Sequence, residues 1–505
     1  MGLWRSQIIP AILLIVLALV EILLVVLPAK EMEVPPENMY GIVLDAGSSH
    51  TSMFIYKWPA DKQNNTGIVT QHKECHVEGG GISSYAGKLG GAAKSLEKCL
   101  EQALEYIPKS RHHQTPLCLG ATAGMRLLNI VNLSESQRIM KEVENKLRSY
   151  PFKFKEAIIL NGQAEGAFGW VTVNYLLENF VKYGFVGRWM NPGRKTIGAL
   201  DLGGASTQIT FETSEKVENE TNVMELKLYG KTYRLYTQSF LCYGQDQYLR
   251  KLLAHLIKSQ IQNQGQHEVF HPCYPKQFKE SINLWKDVFD SPCSVDYKPA
   301  NIDLQMNVTV VGTGDYQNCL DNVKKMFSFD NCTYSKCSFN GIFQPSLRGS
   351  FMAFSAFFFT HKYISTLTNI DMTSPNQTAE AIQLICNMSI SEMIDKTKYA
   401  EKYMKNVCAI SNFVLVLLTQ GYHFDEVSLR SISFEKTAGG ASVGWAMGYM
   451  LDLTNLVPAE PSGVMKALPT GPWRGILFLS VSLIFFAMGY LLMVYRKTKT
   501  KEDII

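Results

Sequence analysis

Residues 40–56, YGIVLDAGSSHTSMFIY, decide the fold. The apolar run ends at Asp45, a Gly-Ser-Ser turn follows, and alternation resumes over 51–56, which reads as strand, tight turn, strand. The same arrangement returns at residues 198–211, GALDLGGASTQITF. Laid on each other, Asp45 meets Asp201, Gly47 meets Gly203 and Thr51 meets Thr207. Such an internal match implies two related lobes facing each other across a cleft. In turns of this kind glycine lets the backbone approach an anion, successive N–H groups form a nest, and hydroxyls add donors. Phosphate fits there. A carboxylate cannot itself cradle phosphate, so Asp45 and Asp201 call for a divalent cation between them and the anion. One Asp-x-Gly turn is as readily a structural hairpin; two in register point to a ligand.

Two further segments belong with these turns. LGATAGMR, residues 119–126, is small enough for backbone to approach a ligand, and taken alone is a tight helix entry. NGQAEGAFGW, residues 161–170, sets Glu165 among small residues at the start of a helix whose body is VTVNYLL. An acid there suits the helix dipole; its candidacy as a general base comes from its neighbours.

The two ends of the chain are apolar. Residues 8–27 are broken only by Pro10 and Glu21, and residues 475–495 carry no charge. Each run can cross a hydrocarbon core of about 30 Å. The first is longer than a signal-peptide core, and Pro28-Ala29-Lys30 is a poor cleavage site. Arg5 precedes the first run, and Arg496, Lys497, Lys499 and Lys501 follow the second, which by the positive-inside bias puts both termini in the cytoplasm. The expected plan is a cytoplasmic segment 1–7, a span 8–27, an extracellular portion 28–474, a span 475–495 and a cytoplasmic tail 496–505. Asn64, Asn132, Asn219, Asn307, Asn331, Asn376 and Asn387 are glycosylation acceptors, all between the spans. The 11 cysteines also lie there without zinc-type spacing, which reads as five disulfides and one leftover thiol. At about 150 residues per domain, 505 residues hold two to four domains. A net charge of +4, with 19% of residues charged, gives no argument for a nucleic-acid partner.

DAGSSHTS, GATAGMR, GQAEGAFGW, DLGGASTQ and VGWAMGYML (443–451) resemble, in order, the five apyrase conserved regions. The chain is identified as similar to the cell-surface ecto-nucleoside triphosphate diphosphohydrolases, closest to their triphosphate-preferring ecto-ATPase subtype, while its third segment also looks like the liver-type subtype. The resemblance implies an α/β fold of two lobes like those of actin, sugar kinases and heat-shock ATPases. We place one lobe at about 38–165 plus 430–468 and the other at about 166–429. It implies phosphate binding by Ser48, Ser49, His50, Thr51, Thr122, Ala123, Gly203, Gly204 and Ala205. Asp45 and Asp201 would hold Ca²⁺ or Mg²⁺, mainly through water. Glu165 would be the base, with Ser206 and Gln208 holding the attacking water. Trp445 joins the nucleotide site, and Phe359 and Tyr403 are the expected base clamp, with Gln245 where arginine is common. Ala164 replaces the first of two acids usual in the third region. The implied disulfides are Cys75–Cys99, Cys242–Cys293, Cys273–Cys319, Cys332–Cys337 and Cys386–Cys408, leaving Cys118 as a buried thiol.

The expected activity is hydrolysis of extracellular nucleoside triphosphates, and diphosphates to a lesser extent, at the plasma membrane, in a chain that can form homo-oligomers. The alternative is a nucleotide-binding cell-surface glycoprotein without turnover, which would need neither a base nor a water site. An intracellular kinase or chaperone of the same superfold is excluded by the acceptors and spans.

Overall fold

The computed structural model describes residues 2–26, 32–34, 37–185, 188–261, 265, 267–300, 302–460, 463–465 and 470–502. Leu27, the segment 28–30 and Ile505 lie outside the described residues. The chain divides into two units, residues 38–459 and the two terminal segments.

In the larger unit, β1 (Asn38–Ala46) pairs antiparallel with β2 (Thr51–Pro59), and β2 with β3 (Thr70–Val77). On the other side of β1, β4 (Pro116–Ala121) and β5 (Lys153–Ile159) run parallel to it. The second sheet repeats this plan. β6 (Gly198–Leu202) pairs antiparallel with β7 (Ser206–Glu212), with β8 (Val223–Leu228) and β9 (Lys231–Leu241) continuing beyond it. β10 (Phe351–Ser355) and β11 (Ile432–Phe434) run parallel to β6 on its other side. The duplication extends to register. Asp45 lies opposite Ser52 and Ala46 opposite Thr51; Asp201 lies opposite Gln208 and Leu202 opposite Thr207.

Ile42, Val43 and Leu44 are all fully buried, because β1 has a core on both faces; this is why it reads as a continuous apolar run. Val43 belongs to the core between the sheets, and Ile42 and Leu44 to the outer core of the first sheet. Between the sheets lie the helices Gly162–Leu176 and Trp445–Thr454. They approach so closely that a Cβ on Gly448 would stand 2.0 Å from the Phe168 carbonyl oxygen. The Gly448 N–H donates to Thr172 Oγ1 at 2.9 Å, so glycine in the fifth segment sets this crossing.

The segment 430–468, expected with the first lobe, is shared. β11 completes the second sheet, whereas Trp445–Thr454 packs on β1 and β2, and residues 463–465 belong to the terminal unit. A parallel strand after β10 is what the repeated plan requires, and its three residues are too short to carry a strand signal.

Disulfides join Cys75 to Cys99, Cys242 to Cys293, Cys273 to Cys319, Cys332 to Cys337 and Cys386 to Cys408, and Cys118 is a buried free thiol. Burial pushes that thiol up to about 11, the behaviour of an inert core cysteine. The acceptors Asn64, Asn132, Asn307, Asn331, Asn376 and Asn387 are exposed, and Asn219 is half-buried.

In the terminal unit, the helix Gly2–Val26 packs on the helix Thr470–Glu502. Both are long and apolar enough to cross a membrane, over Ile8–Val25 and Pro472–Thr500. Ala11, Ala18, Ser480 and Ala487 are buried, so small residues let the helices approach. Glu21, the charge inside the first run, accepts a hydrogen bond from Ser480 Oγ at 3.0 Å.

Candidate active site

The two duplicated turns, 47–50 and 203–206, meet at the ends of β1 and β6. A Cβ on Gly204 would fall 2.6 Å from Ser48 Oγ and 2.7 Å from Asp246 Oδ2, so the two turns come close here. Among the described residues the backbone N–H groups of Ser48, Ser49, His50, Gly204 and Ala205 donate to no protein acceptor. Together they make a donor-lined concavity suited to an anion. The space between the turns is a cavity of about 590 Å³, and Ser48, Ser49, His50, Gly203, Gly204 and Ala205 all line it. Thr122 and Ala123 line it too. Thr122 stands before the helix Ala123–Val131 without capping it through its side chain. Thr51 does not line the cavity; it is fully buried, and its hydroxyl has no partner among the described residues.

Glu165 enters the cavity from the first turn of the helix Gly162–Leu176, whose start is fixed by Asn161 Oδ1 accepting from the Ala164 N–H at 2.7 Å. Its Oε2 accepts from Arg126 Nη2 at 2.7 Å and from Gln208 Nε2 at 3.2 Å. Arg126 also donates to Ser206 Oγ at 3.0 Å, and Gln208 Nε2, whose two hydrogens are shared among three acceptors, lies 2.7 Å from Ser206 Oγ and 2.9 Å from Ser239 Oγ. Burial raises the Glu165 carboxyl above the usual range, and the Arg126 guanidinium opposes the shift. Gln208 sits behind the cavity lining, and its Oε1 is buried without a partner among the described residues. Glu165, Ser206 and Gln208 therefore form one hydrogen-bonded group, as a base and a water site require.

Asp45 and Asp201 both line the cavity. Burial raises Asp45 to about 7; the Trp445 indole opposes this, while Glu165 and Asp201 add to it. Burial, with the charge of Glu165, likewise raises Asp201 to about 7, against the Ser355 side chain. Asp201 Oδ1 is buried without a partner among the described residues. Two desolvated carboxylates with an orphaned oxygen fit a divalent cation. Among the described residues there is no cluster of three or more His, Cys, Asp or Glu able to enclose a metal.

The cavity lining also includes Phe359, Tyr403 and Gln245, whose N–H donates to Gly203 O at 2.8 Å. The two rings are 40% and 48% exposed, unlike Phe357, which is wholly buried. Ser355, beside them, has a left-handed φ of 56°, strain of the kind held at functional sites. Trp445 lines the cavity as well.

Residues 31–467 match the model of the GDA1/CD39 (nucleoside phosphatase) family. The chain belongs to that family. As a GDA1/CD39 member it is 48% identical over 498 residues to ectonucleoside triphosphate diphosphohydrolase 2 of Homo sapiens, with 99% of each chain covered. It is 40% identical to ectonucleoside triphosphate diphosphohydrolase 8 of Bos taurus, over 96% of this chain and 97% of that one. The fold of this GDA1/CD39 chain is shared with the nucleoside triphosphate hydrolases of Neospora caninum. There the TM-score is 0.57 at 14% identity, covering 84% of this chain and 94% of that one.

Sequence reading did not single out Arg126, Ser239, Ser355 or Asp246. Arg126 lies inside LGATAGMR, one helical turn past Thr122, and that position was its only signal. Ser239 and Ser355 carry none, since their placement depends on sheet register and on a strand end far along the chain.

Proposed function

We propose that this family member hydrolyses extracellular nucleoside triphosphates, and diphosphates more slowly, as a divalent-cation-dependent enzyme anchored at the plasma membrane by both ends. The observation that carries the reading is the Glu165, Ser206 and Gln208 group set beside two anion-binding turns. The Glu165 carboxylate accepts the proton of a water that Ser206 holds in the cavity, with Gln208 orienting Ser206 from behind. The water oxygen bonds to the terminal phosphorus, the bridging P–O bond breaks, and the departing nucleoside diphosphate takes the electron pair. Backbone N–H groups of the two turns and the hydroxyls of Ser48 and Thr122 hold the phosphoryl oxygens in line for that attack. Ca²⁺ or Mg²⁺ on Asp45 and Asp201, when bound, neutralises charge on the phosphate tail. No covalent phosphoenzyme is required.

The two apolar helices, the basic residues beyond them and the exposed acceptors between them support this anchoring and orientation. The decisive experiment adds ATP, then ADP, outside intact expressing cells and follows phosphate and nucleotide products. Phosphate released from ATP supports the reading, and absence of turnover while nucleotide still binds would favour the non-catalytic alternative.

A further inference from the structure

The cavity is short of positive charge. Asp45, Glu74, Glu165, Asp201 and Asp246 line it, and among the described residues Lys436 is its one lysine or arginine. Desolvation at the cavity wall, helped by His76, holds the His50 imidazole below its ordinary range, so that ring is neutral near pH 7. Lys436 Nζ has no hydrogen bond or ion pair among the described residues; its one contact is with the Phe359 ring, 5.9 Å from the centroid. It therefore stands in the cavity beside the Phe359 ring.

Its backbone is tethered on both sides. The Glu435 N–H donates to Ala353 O of β10 at 3.0 Å, and Lys436 O accepts from the Val443 N–H at 3.2 Å. The chain then turns back through Thr437–Ala438 and Ala441–Ser442, with left-handed Gly439 and Gly440 between. Ser442 is tied to β3 by its N–H to Gln71 Oε1 at 3.1 Å and its hydroxyl to Glu74 Oε2 at 2.9 Å. Lys436 thus rides on the strap that crosses from the second sheet to the first, with its ammonium unspent over the ring where a base would stack.

Resting on the nucleotide reading above, we infer that Lys436 binds the phosphate nearest the nucleoside. A cation on Asp45 and Asp201 serves the tail at the turns, which leaves the base-proximal phosphate facing acidic walls without a counter-charge. An ammonium on a flexible stem supplies it, and prefers that anion to the neutral carbonyls of a base.

The test measures equilibrium binding of AMP and of adenosine to the full-length protein, alongside ATP hydrolysis, in wild type, Lys436→Met and Lys436→Arg. Loss of one charge-assisted hydrogen bond should weaken AMP by roughly tenfold to a hundredfold in Lys436→Met. Adenosine affinity should hold, the loss for ATP should sit in KM rather than kcat, and Lys436→Arg should recover most of it. Unchanged AMP affinity in Lys436→Met overturns the inference, as does an equal loss for adenosine or failure of arginine to recover binding. A wild type that binds AMP through Lys436 yet turns over no nucleotide would defeat the hydrolase reading and leave this contact standing.

Discussion

Arg126 Nη2 donates to Glu165 Oε2 at 2.7 Å while the same nitrogen reaches Ser206 Oγ at 3.0 Å. The guanidinium thus bridges the carboxylate and the Ser206 hydroxyl of the proposed water site, and it opposes the burial that raises the Glu165 carboxyl. As the proposed base, Glu165 must be ionised to accept a proton, so loss of the guanidinium should change the pH range over which it acts.

Replacing the acid tests its role directly. Glu165→Gln keeps the shape and the hydrogen bonds but cannot take a proton, so kcat should fall by about 10² to 10⁴. Nucleotide affinity should remain, as measured by equilibrium binding. Near-normal turnover in this variant would assign the base elsewhere.

Arg126→Met separates orientation from charge. Without the guanidinium, the raised Glu165 carboxyl is raised further, so the acidic limb of the kcat profile should move to higher pH. Turnover should drop at every pH, because Ser206 also loses a donor. A profile that scales down with no shift in its acidic limb would mean the guanidinium positions Glu165 without tuning it.

The carboxylates Asp45 and Asp201 make a prediction about stability. Their folded values of about 7 lie above the unfolded value of about 3.9. The cation-free fold therefore holds more protons than the unfolded chain between those limits, and these two groups make it less stable as pH rises through that window. A divalent cation takes the place of the protons. The rise in Tm on adding Mg²⁺ or Ca²⁺ to chelator-treated protein should be small at about pH 5 and larger at about pH 8. An equal rise at both would remove the two carboxylates as the cation's seat. Activity should vanish in chelator and return with either ion.

How much of this was readable in advance follows the range of each signal. Asp45 and Asp201 stood out because each closes a local strand-turn pattern and the pattern occurs twice; β1/β2 and β6/β7 then share the register that alignment gave. Glu165 was legible through its helix start. The partners that make it a site come from helix Ala123–Val131 and β9, and no local pattern encodes contacts made at that sequence distance. Lys436 was hidden for the same reason. Its hairpin residues are short, polar and ordinary, and only the crossing between sheets brings its ammonium to the cavity. Phe359 follows Phe357 and Phe358 in sequence, and the helix phase puts Phe357 inside and Phe359 out.

The terminal helices carry a prediction of topology. An epitope added after Ile505 should be detected only in permeabilised cells, because the basic residues that follow the second span favour the cytoplasmic side. An N-glycosidase should shift the chain by several glycans, since six of the seven acceptors are exposed. An epitope visible on intact cells would overturn the two-span arrangement.

Base selectivity is the last consequence of the cavity's form. A site discriminates strongly only when buried polar groups are left unpaired by the wrong ligand, whereas stacking accepts any π-face. Phe359 and Tyr403 are open rings, and Gln245 is a neutral contact on the helix Gln245–Gln260. Lys436 adds charge, and charge reads a phosphate that every nucleotide carries. ATP, GTP, UTP and CTP should therefore be hydrolysed with kcat/KM values within roughly tenfold of one another. Phe359→Ala should raise KM for all four in parallel, by the loss of one stacking face worth about 1–3 kcal/mol. A preference above a hundredfold, or a loss confined to one base, would mean that a directional hydrogen bond reads the ring, and Gln245 is the side chain placed to make it.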